Sequence, residues 1–497
     1  MSKHKGHKKP ANKGKGQPRA KRTTQKRAAQ KKAQGKRLFG VVLIAVLLIA
    51  GLFAYPYLTP APAVVHPANT SQLDPAVDAL LKPLLEKAAN TPREANVHGE
   101  LGLAYEANGL WQEAAKSYGN ALKLDSKDTN WQLHKAIVDR QAGDFEGALA
   151  GLQSLANRAP NTAVIQNHYG EALLEAGDMK TAEETFRTLV QLSPGSAQGY
   201  VGLGDIMIQQ GAGEAAVQVL EQAVERDPGY KQAQYLLGRA YSMTGREAEA
   251  AVALARGVDA KIQYLPDGLS QKIAAYTVNV SGRISQASTL LNTGNPQQAA
   301  QLLEESYIYH NSNVMLLNTL ASAYLKTRRL EDAHRLLNRA RELDENQFFT
   351  YLNLYSWALR SGKMEDALRY ADESIQRAPE RDDTHLARAQ ALTELSRLDE
   401  ALESAEHALA IDGNKAGNHG LVADINFKQG NLETAATHFE HALSLNTNLL
   451  PALVGLAGIK MQQSATAEAR QLLQRAQQIA PSHPRVQQLA TQLSNTR

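Results

Sequence analysis

The chain is predicted to be all-α: a solenoid of about eleven stacked helical hairpins, preceded by one transmembrane helix. Three observations carry this expectation. First, alanine recurs at Ala114, Ala148, Ala182, Ala216 and Ala250, then at Ala299, Ala333, Ala367, Ala401, Ala435 and Ala469. Every interval is 34 residues except Ala250 to Ala299, which is 15 longer. A 34-residue period belongs to hairpins that bury an apolar face only by stacking on their neighbours. Second, a glycine stands five residues before the alanine in eight repeats: Gly109, Gly143, Gly177, Gly211, Gly245, Gly294, Gly362 and Gly430. Glycine just past a helix end accepts the left-handed conformation that stops the helix. Third, residues 38–55 run for 18 positions without a charge.

The first helix of each hairpin carries a small residue twelve positions before the alanine. Gly102, Ala136, Gly170, Gly204 and Gly238 fill this column in the first five repeats, and Tyr355 is its one exception. Small side chains let helices approach, and added bulk at such a point costs about 1–3 kcal/mol. The second helices show helical spacing, as in Leu432, Ala435, Phe439, Ala442 and Leu443. Asp144, Asp178 and Asn431 follow the turn glycines as caps, and Asn295-Pro296 sets a proline at a first helical position. The glycine-rich stretch from Gly199 to Gly204 falls inside a first helix, so it is no phosphate loop.

These columns resemble the tetratricopeptide repeat family. Leu101-Gly102, Tyr105, Ala114, Tyr118 and Ala121 match its signature, as do Leu237-Gly238, Tyr241 and Ala250. The resemblance runs from about Ala95 to Pro481 and implies a right-handed superhelix. Repeats with Arg328, Ser396 or Ser464 at the inter-helix turn depart from the pattern and are placed by phase alone.

Length by itself suggests about three domains of roughly 150 residues. The repeats instead give one long array. Residues 73–94 read as a capping helix, 95–264 as repeats one to five, and 280–481 as repeats six to eleven. Residues 265–279 are an insertion or a joint, opening on the turn-forming run Leu265-Pro266-Asp267-Gly268, and able to lengthen the first helix of the sixth repeat. Residues 482–497 read as a closing helix, with Val486, Leu489 and Leu493 facing the last repeat.

The N-terminal segment differs in kind. Residues 1–37 hold 15 Lys or Arg and no acid, and read as a disordered tail. Leu38 to Leu58 is apolar enough and long enough to cross a bilayer as a helix. The positive-inside rule keeps the tail in the cytoplasm and sends the repeats across the membrane. For a bacterial inner membrane that places them in the periplasm, in a single-pass arrangement; the absence of cysteine permits this compartment. Residues 59–72, with Pro60, Pro62 and Pro67, read as an extended tether. Ala61-Pro62-Ala63 resembles a signal-peptide cleavage site, but the basic region is far longer than such peptides carry.

The formal charge of +4 hides a split. Beyond the tail, 39 basic residues face 50 acidic ones, so the basic balance says nothing about partners of the repeats. The tail suits anionic lipid. It has no aromatic residue for base stacking, which makes nucleic acid an unfavoured partner.

No catalytic constellation, cofactor or metal site is expected. There is no thiol, no HExxH and no GxSxG. His438 and His441 lie three apart on a second helix and His407 lies one repeat earlier, but no further ligands converge, and all read as solvent-facing. Nothing points to a small-molecule substrate.

The resemblance implies a groove lined by first helices. Phase puts on that face Asn130 and Arg140, Asn167, Gln198, Gln232, Tyr235 and Arg239, Asn318 and Ser322, and Gln390. Amides can bond both the donors and the acceptors of a peptide backbone. Tyr235 and Arg239 are of the types that anchor interfaces. The face carries no lysine for a terminal-carboxylate clamp of the kind chaperone-binding relatives use. The expected function is a non-enzymatic, membrane-anchored periplasmic scaffold, holding a protein or extended peptide during envelope, pilus or secretion assembly. The alternative is a recruitment subunit of a polysaccharide synthesis and export or cytochrome maturation complex.

Overall fold

The computed structural model describes residues 44–46 and 60–495. Two units are distinguished, Met1–Ala63 and Val64–Arg497, and each is taken by itself. The basic tail and the apolar span expected at 38–58 lie outside the described residues except for 44–46, which are helical. Among the described residues, no helix is long and apolar enough to cross a membrane.

The second unit is built of helices, with no strand among the described residues. Helix α1 (Pro75–Asn90) precedes five hairpins: α2 (Ala95–Ala107) with α3 (Trp111–Leu124), α4 (Thr129–Gln141) with α5 (Phe145–Arg158), α6 (Ala163–Glu175) with α7 (Met179–Leu192), α8 (Gln198–Gln209) with α9 (Gly213–Arg226), and α10 (Lys231–Met243) with α11 (Glu247–Arg256). A short helix, α12 (Ser270–Tyr276), stands alone. Six more hairpins follow: α13 (Val280–Asn292) with α14 (Pro296–His310), α15 (Val314–Lys326) with α16 (Leu330–Leu343), α17 (Phe348–Arg360) with α18 (Met364–Arg377), α19 (Asp382–Glu394) with α20 (Leu398–Ile411), α21 (Ala416–Gln429) with α22 (Leu432–Leu445), and α23 (Leu450–Gln462) with α24 (Thr466–Ile479). Helix α25 (Pro484–Asn495) closes the array with Val486, Leu489 and Leu493 buried.

The columns have direct physical causes. A Cβ on Gly102 would stand 2.6 Å from the Tyr118 ring, and one on Gly170 would stand 2.8 Å from that of Phe186. Both are closer than real Cβ contacts allow, so the glycines are what let each first helix seat on the bulky residue four past the alanine. At Tyr355 the volumes are exchanged: the residue four past Ala367 is the small Ala371, and both lie in one buried cluster. The turn glycines all have positive φ. Arg328, Ser396 and Ser464 take the same left-handed conformation, with φ of 61°, 59° and 62°. Those three turns therefore work like the others, at the strain a Cβ brings there. Asp144 and Asp178 cap their helices through Gly147 N–H and Thr181 N–H. Asn431 does not; its amide turns to Asn426 Oδ1 at 3.2 Å.

The core is a string of local clusters rather than one mass, as stacking requires. Helix α1 buries Val77, Leu81 and Ala88 over the first repeat. The Pro-rich stretch is not free throughout: Val64 and Val65 pack on the same cluster, and Tyr105 donates its hydroxyl to Val65 O at 2.6 Å.

The 15-residue excess does not lengthen α13. Its start is fixed by Asn279, whose side chain accepts the Gly282 N–H at 2.8 Å, while Val280 N–H goes to Asp74 Oδ2 at 3.1 Å. The preceding residues instead leave α11 at Gly257, pass Asp259 in a left-handed conformation (φ 58°), and run back across the first five repeats. This segment ends beside α1, so that His310 of the sixth repeat meets Asp74 at 3.1 Å.

Candidate functional site

The returning segment runs from α10 back to α2 and touches α6 and α4 on the way. Gln263 N–H donates to the Tyr230 hydroxyl at the start of α10 (3.0 Å). Tyr264 stacks on His168 of α6, with ring centroids 4.1 Å apart and planes within 7°, and its hydroxyl accepts from Arg140 of α4. Leu265 N–H donates to Asn167 Oδ1 of α6 (2.9 Å). Asp267 meets His134 of α4 at 2.8 Å, and Lys272 meets Glu100 of α2 at 2.6 Å. Asn108, at the end of α2, then grips the exit. It donates to Tyr276 O at 2.8 Å and accepts from Val278 N–H and Asn279 N–H at 3.1 and 3.0 Å. Leu265, Leu269, Ile273 and Tyr276 add half-buried apolar contacts. A chain segment thus lies along the face that the sequence assigns to a ligand.

The electrostatics centre on His134. Its imidazole bridges two carboxylates, Glu106 at 3.0 Å through Nδ1 and Asp267 at 2.8 Å through Nε2. Burial pushes its pKa down, but the bonds to Asp267 and Glu106 outweigh burial and raise it to about 9. Asp267 shows the mirror effect. Burial lifts it, yet the bonds from His134 and Ser270 hold it well below the usual carboxylate range. Tyr118 donates to Glu106 at 2.6 Å and completes the buried chain. Nearby, burial and then the Arg140 charge depress His168 to about 3, so the ring beneath Tyr264 is neutral. Burial raises Glu171 to about 7, with Arg140 opposing.

The ten residues expected on the groove face divide accordingly. Arg140 and Asn167 are engaged by the segment. Asn130 is exposed at the start of α4, and Gln198 and Gln232 are half-buried at the starts of α8 and α10. Tyr235 and Arg239 are exposed together on α10, with the guanidinium 6.0 Å from the ring centroid. Asn318 and Ser322 meet in a cavity of 310 Å³ on first helices of the second array, beside Met315, Phe349 and Asn353. Asn318 is buried, donates to Thr350 Oγ1 at 2.9 Å and accepts from Asn353 at 3.0 Å. Gln390 is exposed and accepts from the Tyr355 hydroxyl at 2.9 Å. Two larger clefts, of 640 and 730 Å³, flank Arg256 and contain none of the ten.

Glu106, Asn108, His134, His168, Tyr264 and Asp267 were not expected in this role. For Glu106, His134 and His168 the signal is a polar residue on a packed face of α2, α4 or α6; Tyr264 and Asp267 carry no such signal, since their partners lie far away in sequence. Of the histidines expected to face solvent, His407 and His441 are exposed and His438 is half-buried. His419 Nδ1 lies 3.1 Å from His438 Nδ1, its ring is 4.1 Å from that of His441, and His385 stacks on His407 at 5.7 Å. Among the described residues, no group of three or more His, Asp or Glu is placed to hold a metal ion.

Two family profiles match the chain, both described as tetratricopeptide repeat. One covers residues 173–225, 208–263, 290–357 and 426–493. The other covers 71–129, 133–197 and 358–416. No curated protein matches. Among solved structures, yeast Tom70 is 15% identical with a TM-score of 0.38, over 81% of this chain and 95% of that one. Pseudomonas aeruginosa pilF is 16% identical with a TM-score of 0.37, over 43% and 96%. TTC0263 of Thermus thermophilus, a TPR protein, is 19% identical with a TM-score of 0.34, over 36% and 98%. These likenesses carry nothing about function. No enzyme family is indicated, and such repeats are generally binding scaffolds. With matched residues spanning well over half its length, the chain belongs to the tetratricopeptide repeat family.

Proposed function

We propose that the protein is a scaffold that holds an extended segment of a partner protein on its first-helix face, anchored by residues 38–58 in the inner membrane with the repeats in the periplasm. The observation that supports binding is the chain's own segment, whose backbone N–H groups are held by the side-chain amides of Asn167 and Asn108. Asn318 stands at the same repeat position as Asn167, fifteen residues before its alanine. Its cavity is uncovered, and Met315 and Phe349 are exposed at its rim. Apolar rims around a few convergent amides suit an extended backbone with apolar side chains. The anchor and its sidedness rest on the uncharged run and on the basic tail before it.

The test is photo-crosslinking in intact cells from an analogue placed at Ser322. A discrete adduct that disappears in an Asn318→Ala/Phe349→Ala variant supports the reading. An adduct pattern unchanged by those substitutions refutes it. Trypsin added to spheroplasts checks the sidedness: digestion of the repeats before lysis is expected, and protection until lysis overturns the periplasmic placement.

A further inference from the structure

We propose that the first-helix face of repeats one to five is a second binding site, for an extended peptide carrying an aromatic residue followed three positions later by a carboxylate, and that Tyr264–Asp267 occupies it as a displaceable internal stand-in. The inference rests on the reading of first-helix faces as sites for extended chain.

The floor beneath the segment is polar. The stacking surfaces around it are built mainly of Ala, Leu, Phe and Tyr, and other buried polar groups, such as Asn318, Asp382 and Asn418, lie further along the array. Here the buried groups are Glu106, His134, Asn167 and His168. Permanent interfaces are dominated by apolar contact, because polar groups regain water when parted and so lose little on opening.

The fit is also incomplete. Asn167 is fully buried, and its Nδ2 has no hydrogen-bond partner. Since Leu265 N–H must meet the oxygen, the unmet atom is the donor. A buried donor left unpaired penalises the closed state. A peptide that offers a backbone carbonyl to Asn167 as well as an N–H would satisfy both ends of the amide, which the internal segment does not.

The segment is hinged where release would need it. Between Gly257 and Gln263 the chain is largely exposed, with Val258 and Ile262 among the exposed apolar residues, and Asp259 holds a left-handed conformation. Pro266 and Gly268, flanking Asp267, are exposed too. The ligand chemistry is read from the contacts. An aromatic ring stacks on the neutral His168, a backbone N–H meets Asn167, and a carboxylate meets the His134 imidazolium. An internal segment competes at high effective concentration, so the closed protein should resist a free peptide.

The experiment uses the full chain and a fluorescent peptide of residues Lys261–Ser270, read by anisotropy. A Tyr264→Ala/Asp267→Ala variant is expected to bind it saturably, at least tenfold more tightly than wild type does. Adding Asn167→Ala to that variant should weaken binding at least tenfold, and so should replacing the peptide's aspartate with asparagine. A double variant that keeps the wild-type circular dichroism spectrum and a cooperative melt but does not bind overturns the proposal. Hydrogen exchange of the wild type gives an independent reading if the variant does not fold. Exchange of the Leu265 amide through local opening, well ahead of the amides of α6, supports displacement; exchange only on global unfolding overturns it. The Ser322 crosslink lies in the other array, so the two readings can fail separately.

Discussion

Raising the pH should loosen the first array through one imidazole. In the folded chain His134 keeps its proton up to about pH 9, because Asp267 and Glu106 face it from two sides. In the unfolded chain it releases that proton near 6.5. The folded value is the higher one, so the stabilisation is complete below pH 6.5, fades as the pH climbs, and is lost above about 9. A tenfold difference in proton affinity between the two states is worth about 1.4 kcal/mol, so the whole effect amounts to roughly 3 kcal/mol. The assay is urea denaturation at pH 6.0 and 9.5 for wild type and for His134→Gln. Other groups titrate in this window, including Tyr and Lys side chains, and the variant carries the same background. Wild type should lose about 3 kcal/mol more than the variant across the interval. Equal losses would mean that the imidazole is not protonated between its two carboxylates, and the account of the bridge would be wrong. Hydrogen exchange at Leu265 should follow the same curve, since Asp267 ties that stretch down.

Two further outcomes follow from the packing. Phe186 is buried between Gly170 and Gly202, so Phe186→Ala opens a hole that its neighbours cannot fill; a loss of about 3–5 kcal/mol by urea denaturation is expected. At the left-handed turn of the seventh repeat, Arg328→Gly should raise stability by about 0.5–1 kcal/mol, whereas a lower melting temperature would contradict the strain assigned there.

The repeats were legible because stacking is local. Each alanine, small residue and turn glycine answers to a partner within its own hairpin or the next, so the period is written along the chain. Val486, Leu489 and Leu493 were legible for the same reason. The path of residues 257–279 was not. Its bonds join positions far apart in sequence, such as Leu265 with Asn167 and Val280 with Asp74, and no periodicity encodes such pairs. Its composition suggested a turn and a lengthened helix because local propensity is all that a single sequence displays there. The groove residues suffered from this directly. Phase put Arg140 and Asn167 on the right face, but only the fold revealed that the chain itself covers them. Asn318 lay on a face that stays open, and its buried pairing with Thr350 and Asn353 depends on helices one repeat away.

The strap from Gln263 to Val280 is fastened at Tyr230 in the fifth repeat and at Asp74 ahead of the first. Its length therefore gauges the block it spans. Solenoids ordinarily gain or shed units by duplication or deletion, because each unit answers only to its neighbours. One hairpin more in this block would move the two fastenings apart by roughly a helix diameter, about 10 Å, and the strap would no longer reach both. The first five repeats are thus a counted set, while the strap leaves the number in the second block free to drift.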